Sequence, residues 1–256
     1  MAEAAATFPA ELVTRLRSAN HIAVLSGAGT SAESGVPTFR DALTGLWARY
    51  NPQELATPEA FARQPQLVWD WYAWRRELVA AVAPNPGHYA LAEMERRARH
   101  VTLITQNVDS LHQRAGSRSV IELHGNLGRA KCSREERIVS EWDETDERPP
   151  RCPLCNAFLR PDVVWFGENL PVDALQRART AARSADVFLT VGTSGIVQPA
   201  ASLPLEAIEA GAVSIEINPD VTPLSRWMDY TLRGPAGVLL PALVAAAWPP
   251  AATSPN

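Results

Sequence analysis

The stretch Val24-Leu25-Ser26-Gly27-Ala28-Gly29-Thr30-Ser31-Ala32-Glu33-Ser34-Gly35-Val36-Pro37-Thr38-Phe39-Arg40 decides how the rest of the chain is read. The apolar run from Ile22 to Leu25 has the composition of a parallel strand buried on both faces. Gly27-Ala28-Gly29 follows at once, and glycines at such a joint let the backbone come close to a negatively charged group. Thr30, Ser31 and Ala32 open a helix, whose unpaired N–H groups and positive dipole end suit a pyrophosphate. On this fragment alone a plain strand-turn-helix joint is the alternative, because the third glycine of the dinucleotide fingerprint is missing.

Val101–Thr105, Val120–Leu123, Val187–Val191 and Val213–Ile217, rich in Val, Ile and Leu, read as further strands of the same sheet. Helical patterns lie between them, over residues 9–19, His88–Arg97, Leu170–Ala182, a helix closing at Ala207–Gly211, and Val238–Ala247. This alternation predicts an α/β fold, a Rossmann-like doubly wound parallel sheet with helices on both faces. The strand ends deliver Gln106, Asn107, Val108 and Asp109, then His124-Gly125, then Gly192-Thr193-Ser194, then Asn218, where an open parallel sheet binds ligands. Taken singly, Asn and Asp after a strand serve turns and helix caps, and a lone histidine is most often a structural group.

After Arg40 the pattern becomes helical and aromatic, with Leu46, Trp47, Phe61, Trp69, Trp71, Tyr72 and Trp74. Pro52, Pro58 and Pro65 punctuate it into short helices, with Thr57-Pro58 and Gln64-Pro65 as starts, and Pro84-Asn85-Pro86-Gly87 reads as a turn. Residues 129–162 form a polar segment carrying Cys132, Cys152 and Cys155. Cys152-Pro153-Leu154-Cys155 is half of a zinc-ribbon pattern, but Cys132-Ser133-Arg134-Glu135 ends in Glu where a fourth Cys is expected. Zinc is therefore a possible ligand of an incomplete site, with Glu135 or a water completing it.

With 256 residues, 46% hydrophobic and 20% charged, the chain can bury a sizeable core. Its net charge of −4 supplies no electrostatic footprint for nucleic acid. The odd, clustered cysteines make no disulfide framework and suit a reducing compartment. The N-terminus lacks a secretion signal and no window is long enough to span a membrane, so a cytoplasmic location is expected. The tail 249–256 is rich in Pro, Ala and Ser and is expected to be disordered.

Gly27 to Arg40 resembles the signature of the sirtuins, Gly-Ala-Gly-x-Ser-x-x-Ser-Gly-[Ile/Val]-Pro-x-Phe-Arg. Thr105-Gln106-Asn107-Val108-Asp109-Ser110-Leu111-His112, Leu123-His124-Gly125, and Gly192-Thr193-Ser194 with Asn218 match the family in order, over roughly residues 10–245. The resemblance implies a single NAD-dependent protein deacylase domain. Residues 10–40, 99–128 and 163–247 would form its large Rossmann-like part, and the helical module 41–98 with the ribbon-like segment 129–162 its small part.

It further implies that Gly27, Ala28, Gly29, Thr30, Ala32, Gly192, Thr193, Ser194 and Asn218 hold the adenosine and phosphate side of NAD. Thr38, Phe39 and Arg40 would cover the nicotinamide end, and Gln106, Asn107, Val108 and Asp109 would orient the nicotinamide and its ribose. In the chemistry that the resemblance implies, an acyl-lysine oxygen would attack the ribose carbon, nicotinamide would leave, and His124, with Asn107 as the second catalytic residue, would take a ribose proton as the acyl group moves to the sugar. The products implied are lysine, nicotinamide and O-acyl-ADP-ribose. Val164-Trp165-Phe166-Gly167 resembles the loop that pairs with a substrate peptide.

Tyr72 and Arg75 stand at i and i+3, so they share one helix face, and a guanidinium can bind a carboxylate bidentately. The ordinary alternative is a surface arginine on an amphipathic helix. Tyr-x-x-Arg, with Thr38, matches the acidic-acyl sirtuins that remove succinyl, malonyl or glutaryl groups. The expected partners are NAD and acyl-lysine proteins or peptides, with no nucleic acid and no membrane. A general lysine deacetylase, ADP-ribosyl transfer and a non-catalytic NAD or peptide sensor are the competing readings.

Overall fold

In the computed structural model, which describes residues 7–37, 50–139, 141, 142 and 147–249, the chain begins with α1 (Ala10–Ser18), β1 (Ile22–Ser26) and α2 (Ala28–Ala32). It continues through α3 (Pro52–Leu55), α4 (Pro58–Arg63), α5 (Pro65–Ala81), α6 (Pro86–Arg97), β2 (Val101–Thr105), α7 (Leu111–Arg114) and β3 (Val120–Glu122). Then come β4 (Gly125–Cys132), β5 (Ile138–Val139), β6 (Leu159–Val163), α8 (Val172–Ser184) and β7 (Val187–Val191). α9 (Leu203–Glu209), β8 (Val213–Ile217), β9 (Tyr230–Leu232) and α10 (Ala236–Ala247) complete it. Thr38, Phe39 and Arg40, the module's Leu46 and Trp47, and the tail from 250 lie outside the described residues.

The strands β1, β2 and β7 are buried at every residue, as strands covered on both faces must be. The sheet is six-stranded, all parallel, in the order β3-β2-β1-β7-β8-β9. The order reverses between β1 and β7, so the crevice at their carboxyl ends is the topological switch point. On one face Leu12, Leu16, Leu91, Met94, Leu240 and Leu243 from α1, α6 and α10 form the core. On the other, Ala178 and Ala182 of α8 and Leu203 and Ala207 of α9 do so.

β9 is a strand that the periodicity did not reveal, because it is three residues long and none of them is buried. Long-range bonds hold it in place: the Asp229 carboxylate accepts from both the backbone N–H and the hydroxyl of Ser214, at 2.8 Å each.

A second sheet, three-stranded with order β5-β4-β6, is antiparallel. Its Leu127 and Val163, with Trp165 beyond it, pack against Val68, Trp71 and Tyr72 of α5. α5 runs 17 residues rather than a short turn or two, since Pro65 sits at its first position and no Pro or Gly interrupts it. α6 starts at Pro86, two residues before the expected His88. The Asn85 side chain accepts from Gly87 and His88 N–H, and Pro86 has no N–H to leave unpaired. Among the described residues no helix is long and apolar enough to cross a membrane.

Candidate active site

Two loops meet at the switch point. Gly27 N–H donates to Val191 O at 2.9 Å and Gly29 N–H to Gly192 O at 2.8 Å. A Cβ on Gly27 would lie 2.8 Å from Thr193 Cα, and one on Gly192 (φ +58) would lie 2.3 Å from Thr30 N. The glycines of the opening stretch therefore serve this loop-on-loop contact first, whatever ligand the joint takes. The Thr30 hydroxyl donates to Val191 O at 3.0 Å, while Ala28 and Ala32 stay exposed on the outer side of the joint.

The polar side chains predicted from the strand ends converge on these loops. Gln106 Nε2 donates to Thr193 Oγ1 at 2.9 Å, and Asn218 Nδ2 to Thr193 O at 2.8 Å. Ser194, half-buried, follows in the same loop. Asn107 Nδ2 donates to Gly27 O and Ser31 Oγ, both at 3.0 Å, which ties the end of β2 to the glycine joint. Asp109 is buried, and its Oδ1 accepts from Leu111 N–H at 2.9 Å, a capping role beside any other. Val108 O accepts from Leu127 N–H at 2.8 Å, joining this loop to β4.

His124 lies where β3 gives way to β4. Its Nδ1 faces Gln106 O at 2.9 Å, so Nδ1 carries the proton and Nε2 keeps a lone pair. Burial lowers its pKa below the ordinary 6.5, opposed by that hydrogen bond. The imidazole is thus neutral and able to accept a proton at pH 7. Gly125 after it is required sterically: φ is +79, and a Cβ would lie 2.1 Å from Asp162 O.

Arg75 is buried, not at the surface, and its guanidinium carbon stands 5.2 Å from the Trp71 ring centre. Burial lowers its pKa, while Tyr72 and then Asp109 act in the opposite direction. Burial pushes the Tyr72 hydroxyl up to about 12, so it is a neutral phenol. Trp165 Nε1–H donates to that hydroxyl at 3.1 Å. Trp165 itself is held by Arg160, 3.4 Å above its ring, and Arg160 is paired with Glu168.

The predicted peptide-pairing loop has largely spent its donors. Val164 N–H goes to His124 O and Phe166 N–H to Ala56 O, both at 2.9 Å, and Trp165 N–H goes to Glu168 at 2.8 Å. Gly167, with φ +87, ends the loop.

Sequence reading missed a buried polar group behind Asn107. Ser31 Oγ meets His88 Nε2 at 3.3 Å, Ser26 Oγ meets His112 Nε2 at 2.8 Å, and the two imidazoles are 4.8 Å apart. The signal was present in Asn85-Pro86-Gly87-His88, where Nδ1 of His88 accepts from Asn85 N–H in a reciprocal cap.

The thiols of Cys132, Cys152 and Cys155 all lie within 4.8 Å of one another, close enough to share one metal ion. Glu135 does not join them: its carboxylate pairs with Arg137 at 3.1 Å.

Residues 27–199 match the model of the Sir2 family. The chain is 53% identical over 244 residues to an NAD-dependent protein deacylase of Ralstonia nicotianae, covering 94% of this chain and 97% of that protein. A solved Sir2 homologue in complex with NAD superposes with a TM-score of 0.88 at 48% identity, over 96% of both chains. A Sir2 homologue mutant with 2′-O-acetyl-ADP-ribose superposes at 0.86 and 48% identity, over 94% of this chain and 96% of that one. The matched segment holds the glycine joint, His124 and the three cysteines, and the chain belongs to the Sir2 family.

Proposed function

We propose that this chain removes acyl groups from protein lysines with NAD as co-substrate, and that it prefers succinyl and malonyl groups to acetyl. The deacylase reading is supported by the deacylase relative and by the NAD and 2′-O-acetyl-ADP-ribose complexes of similar structures. The observation that carries the acyl preference is the buried Arg75 guanidinium one helical turn from the neutral Tyr72 hydroxyl. A cation and a phenol in that setting offer a carboxylate charge-assisted hydrogen bonds.

NAD supplies the ribose carbon that accepts the acyl oxygen, and nicotinamide as the leaving group. We assign Gly27, Ala28, Gly29, Thr30, Ala32, Gly192, Thr193, Ser194 and Asn218 to its adenosine and phosphates, and Gln106, Asn107, Val108 and Asp109 to the nicotinamide ribose. Thr38, Phe39 and Arg40 keep the covering role that the family resemblance implies. His124 takes the ribose proton at Nε2, since Nδ1–H is committed to Gln106 O. Val164 to Gly167 address the peptide mainly through carbonyl oxygens, because three successive N–H groups are engaged within the chain.

Residues 10–40, 99–128 and 163–247 form the NAD-binding part in this reading, and 41–98 with 129–162 the smaller part. We place the chain in the cytoplasm, where its reduced thiols persist, with no nucleic-acid or membrane partner.

A general deacetylase is the second reading. The attraction of Asp109 for Arg75 favours it, because a guanidinium already balanced by a carboxylate attracts an acyl carboxylate less. Nicotinamide release with matched succinyl-, malonyl- and acetyl-lysine peptides tests both readings, with His124→Tyr as control. A succinyl or malonyl preference that vanishes in the control supports the proposal. Turnover of acetyl-lysine alone leaves only the general deacetylase, and NAD binding without release from any peptide overturns catalysis.

A further inference from the structure

The two turns that carry the cysteines have the same backbone structure. In the first, Cys132 N–H donates to Arg137 O and Glu136 N–H to Cys132 O, each at 2.9 Å, with Glu136 at φ +53. In the second, Cys152 N–H donates to Ala157 O at 2.7 Å and Asn156 N–H to Cys152 O at 3.0 Å, with Asn156 at φ +60. Matching the turns bond for bond sets Cys132 on Cys152 and Glu136 on Asn156. Glu135 then falls on Cys155.

The Sγ atoms of Cys132 and Cys155 are 3.4 Å apart, and all three thiols lie within 4.8 Å. A tetrahedral ion with metal–sulfur bonds of about 2.3 Å spaces its sulfurs about 3.8 Å apart. The thiols therefore fit three corners of such a site, and the fourth belongs to the turn position that Glu135 holds. Glu135 points its backbone N–H at Cys132 Sγ, 3.5 Å away, while its carboxylate meets Arg137 with the side chain 39% exposed. Among the described residues no other His, Cys, Asp or Glu joins the three thiols. Cys155 is half-buried and Leu154 beside it is exposed, so the unfilled corner faces solvent.

We propose that this cluster is a metal site with three thiolate ligands and one exchangeable position, held by water and open to a small donor such as imidazole or a free thiol. Closed four-thiolate sites serve structure, whereas three protein ligands leave a position at which a further ligand binds. Thiolates select a soft or borderline ion such as zinc. Trp69 of α5 packs against Cys132 and Cys152, so the site is built onto the helix that carries Tyr72 and Arg75.

The test uses the full chain titrated with Co²⁺ as a spectroscopic probe, with and without imidazole, and with zinc affinity measured by chelator competition. The expected result is one equivalent of Co²⁺ with thiolate-to-metal absorption, and visible bands that shift when imidazole is added. Glu135→Cys should abolish the shift and tighten zinc binding by about tenfold or more, as a fourth thiolate closes the site. Glu135→Ala should keep the shift and leave affinity within about threefold, since the carboxylate is not a ligand. Loss of metal in Glu135→Ala overturns the proposal by making Glu135 the fourth ligand. Failure of the parent chain to bind one equivalent, or bands indifferent to imidazole, overturns it as well.

Discussion

Trp165 donates its indole N–H to the hydroxyl of Tyr72 across 3.1 Å, joining the loop after β6 to the middle of α5. Both side chains are buried, so this bond fixes where the phenol points. Trp165→Phe keeps an aromatic wall and removes the donor. The succinyl-to-acetyl ratio of kcat/KM should fall by about fivefold, in line with about 1 kcal/mol for a neutral hydrogen bond. An unchanged ratio in steady-state assays would show that the bond does not orient the acyl pocket.

Arg75→Met retains length and apolar packing while deleting the charge. A hydrogen bond to a charged group contributes about 1.5–3 kcal/mol, so succinyl-peptide kcat/KM should drop about 10- to 100-fold and acetyl-peptide kcat/KM much less. Equal losses on both peptides would sink the assignment of Arg75 to the acyl carboxylate.

Glu216 on β8 is buried and grips the segment that follows Asn218. It pairs with Arg233 at 2.8 Å and accepts from the hydroxyls of Ser225, at 2.5 Å, and Thr222. This holds Leu224 in place, and a Cβ on Gly195 would lie 2.8 Å from the Leu224 side chain, so the segment is seated on the Thr193–Gly195 loop. Glu216→Gln removes the charge without changing shape. The KM for NAD should rise about five- to tenfold with kcat nearly unchanged, from loss of charge-assisted bonds. A fall in kcat at constant KM would contradict a role on the adenosine side.

His88 and His112 are buried with pKa values lowered to about 4 and about 3, in both cases chiefly by burial. Asp109 opposes the shift at His88, and the neighbouring His88 deepens it at His112. Unfolding returns each to about 6.5, so the unfolded chain binds more protons at acid pH. Their stabilisation is complete above pH 6.5 and is lost as pH falls towards 4 and then 3, by an amount on the order of a few kcal/mol. Urea unfolding between pH 7.5 and 4.5 should show it, and His112→Gln should flatten the slope. A slope unaffected by that variant would assign acid sensitivity to other groups.

Activity should follow His124 differently. Because burial holds its pKa below 6.5, kcat/KM should rise with pH through a value under 6.5 and stay level above it. An apparent pKa above 6.5 in the acid limb would exclude a neutral, buried His124 as the base.

Much of the fold was legible without coordinates. Ile22–Leu25 is apolar throughout, and Val101–Thr105 and Val187–Val191 are apolar but for threonines, the composition of strands covered on both faces. Strand ends then had to deliver Gln106, His124 and Thr193 to one edge of the sheet, which follows from parallel topology alone. β9 was not legible, because its place depends on Asp229 reaching Ser214 on the neighbouring strand.

What the sequence by itself determined was the kind and order of elements and the residue types at their ends, because hydrophobic period, proline and glycine act locally. Only the tertiary structure decided that Gly27, Gly29 and Gly192 are required by one another, since a Cβ on any of them meets the opposite loop. It alone buried Arg75 beside Tyr72 and turned Nδ1 of His124 to Gln106 O. It also brought Cys132 and Cys155 within 3.4 Å, sulfur to sulfur. The physical reason is common to these cases: contact distance, burial and proton placement arise between residues far apart in the chain, and a local pattern carries no information about them.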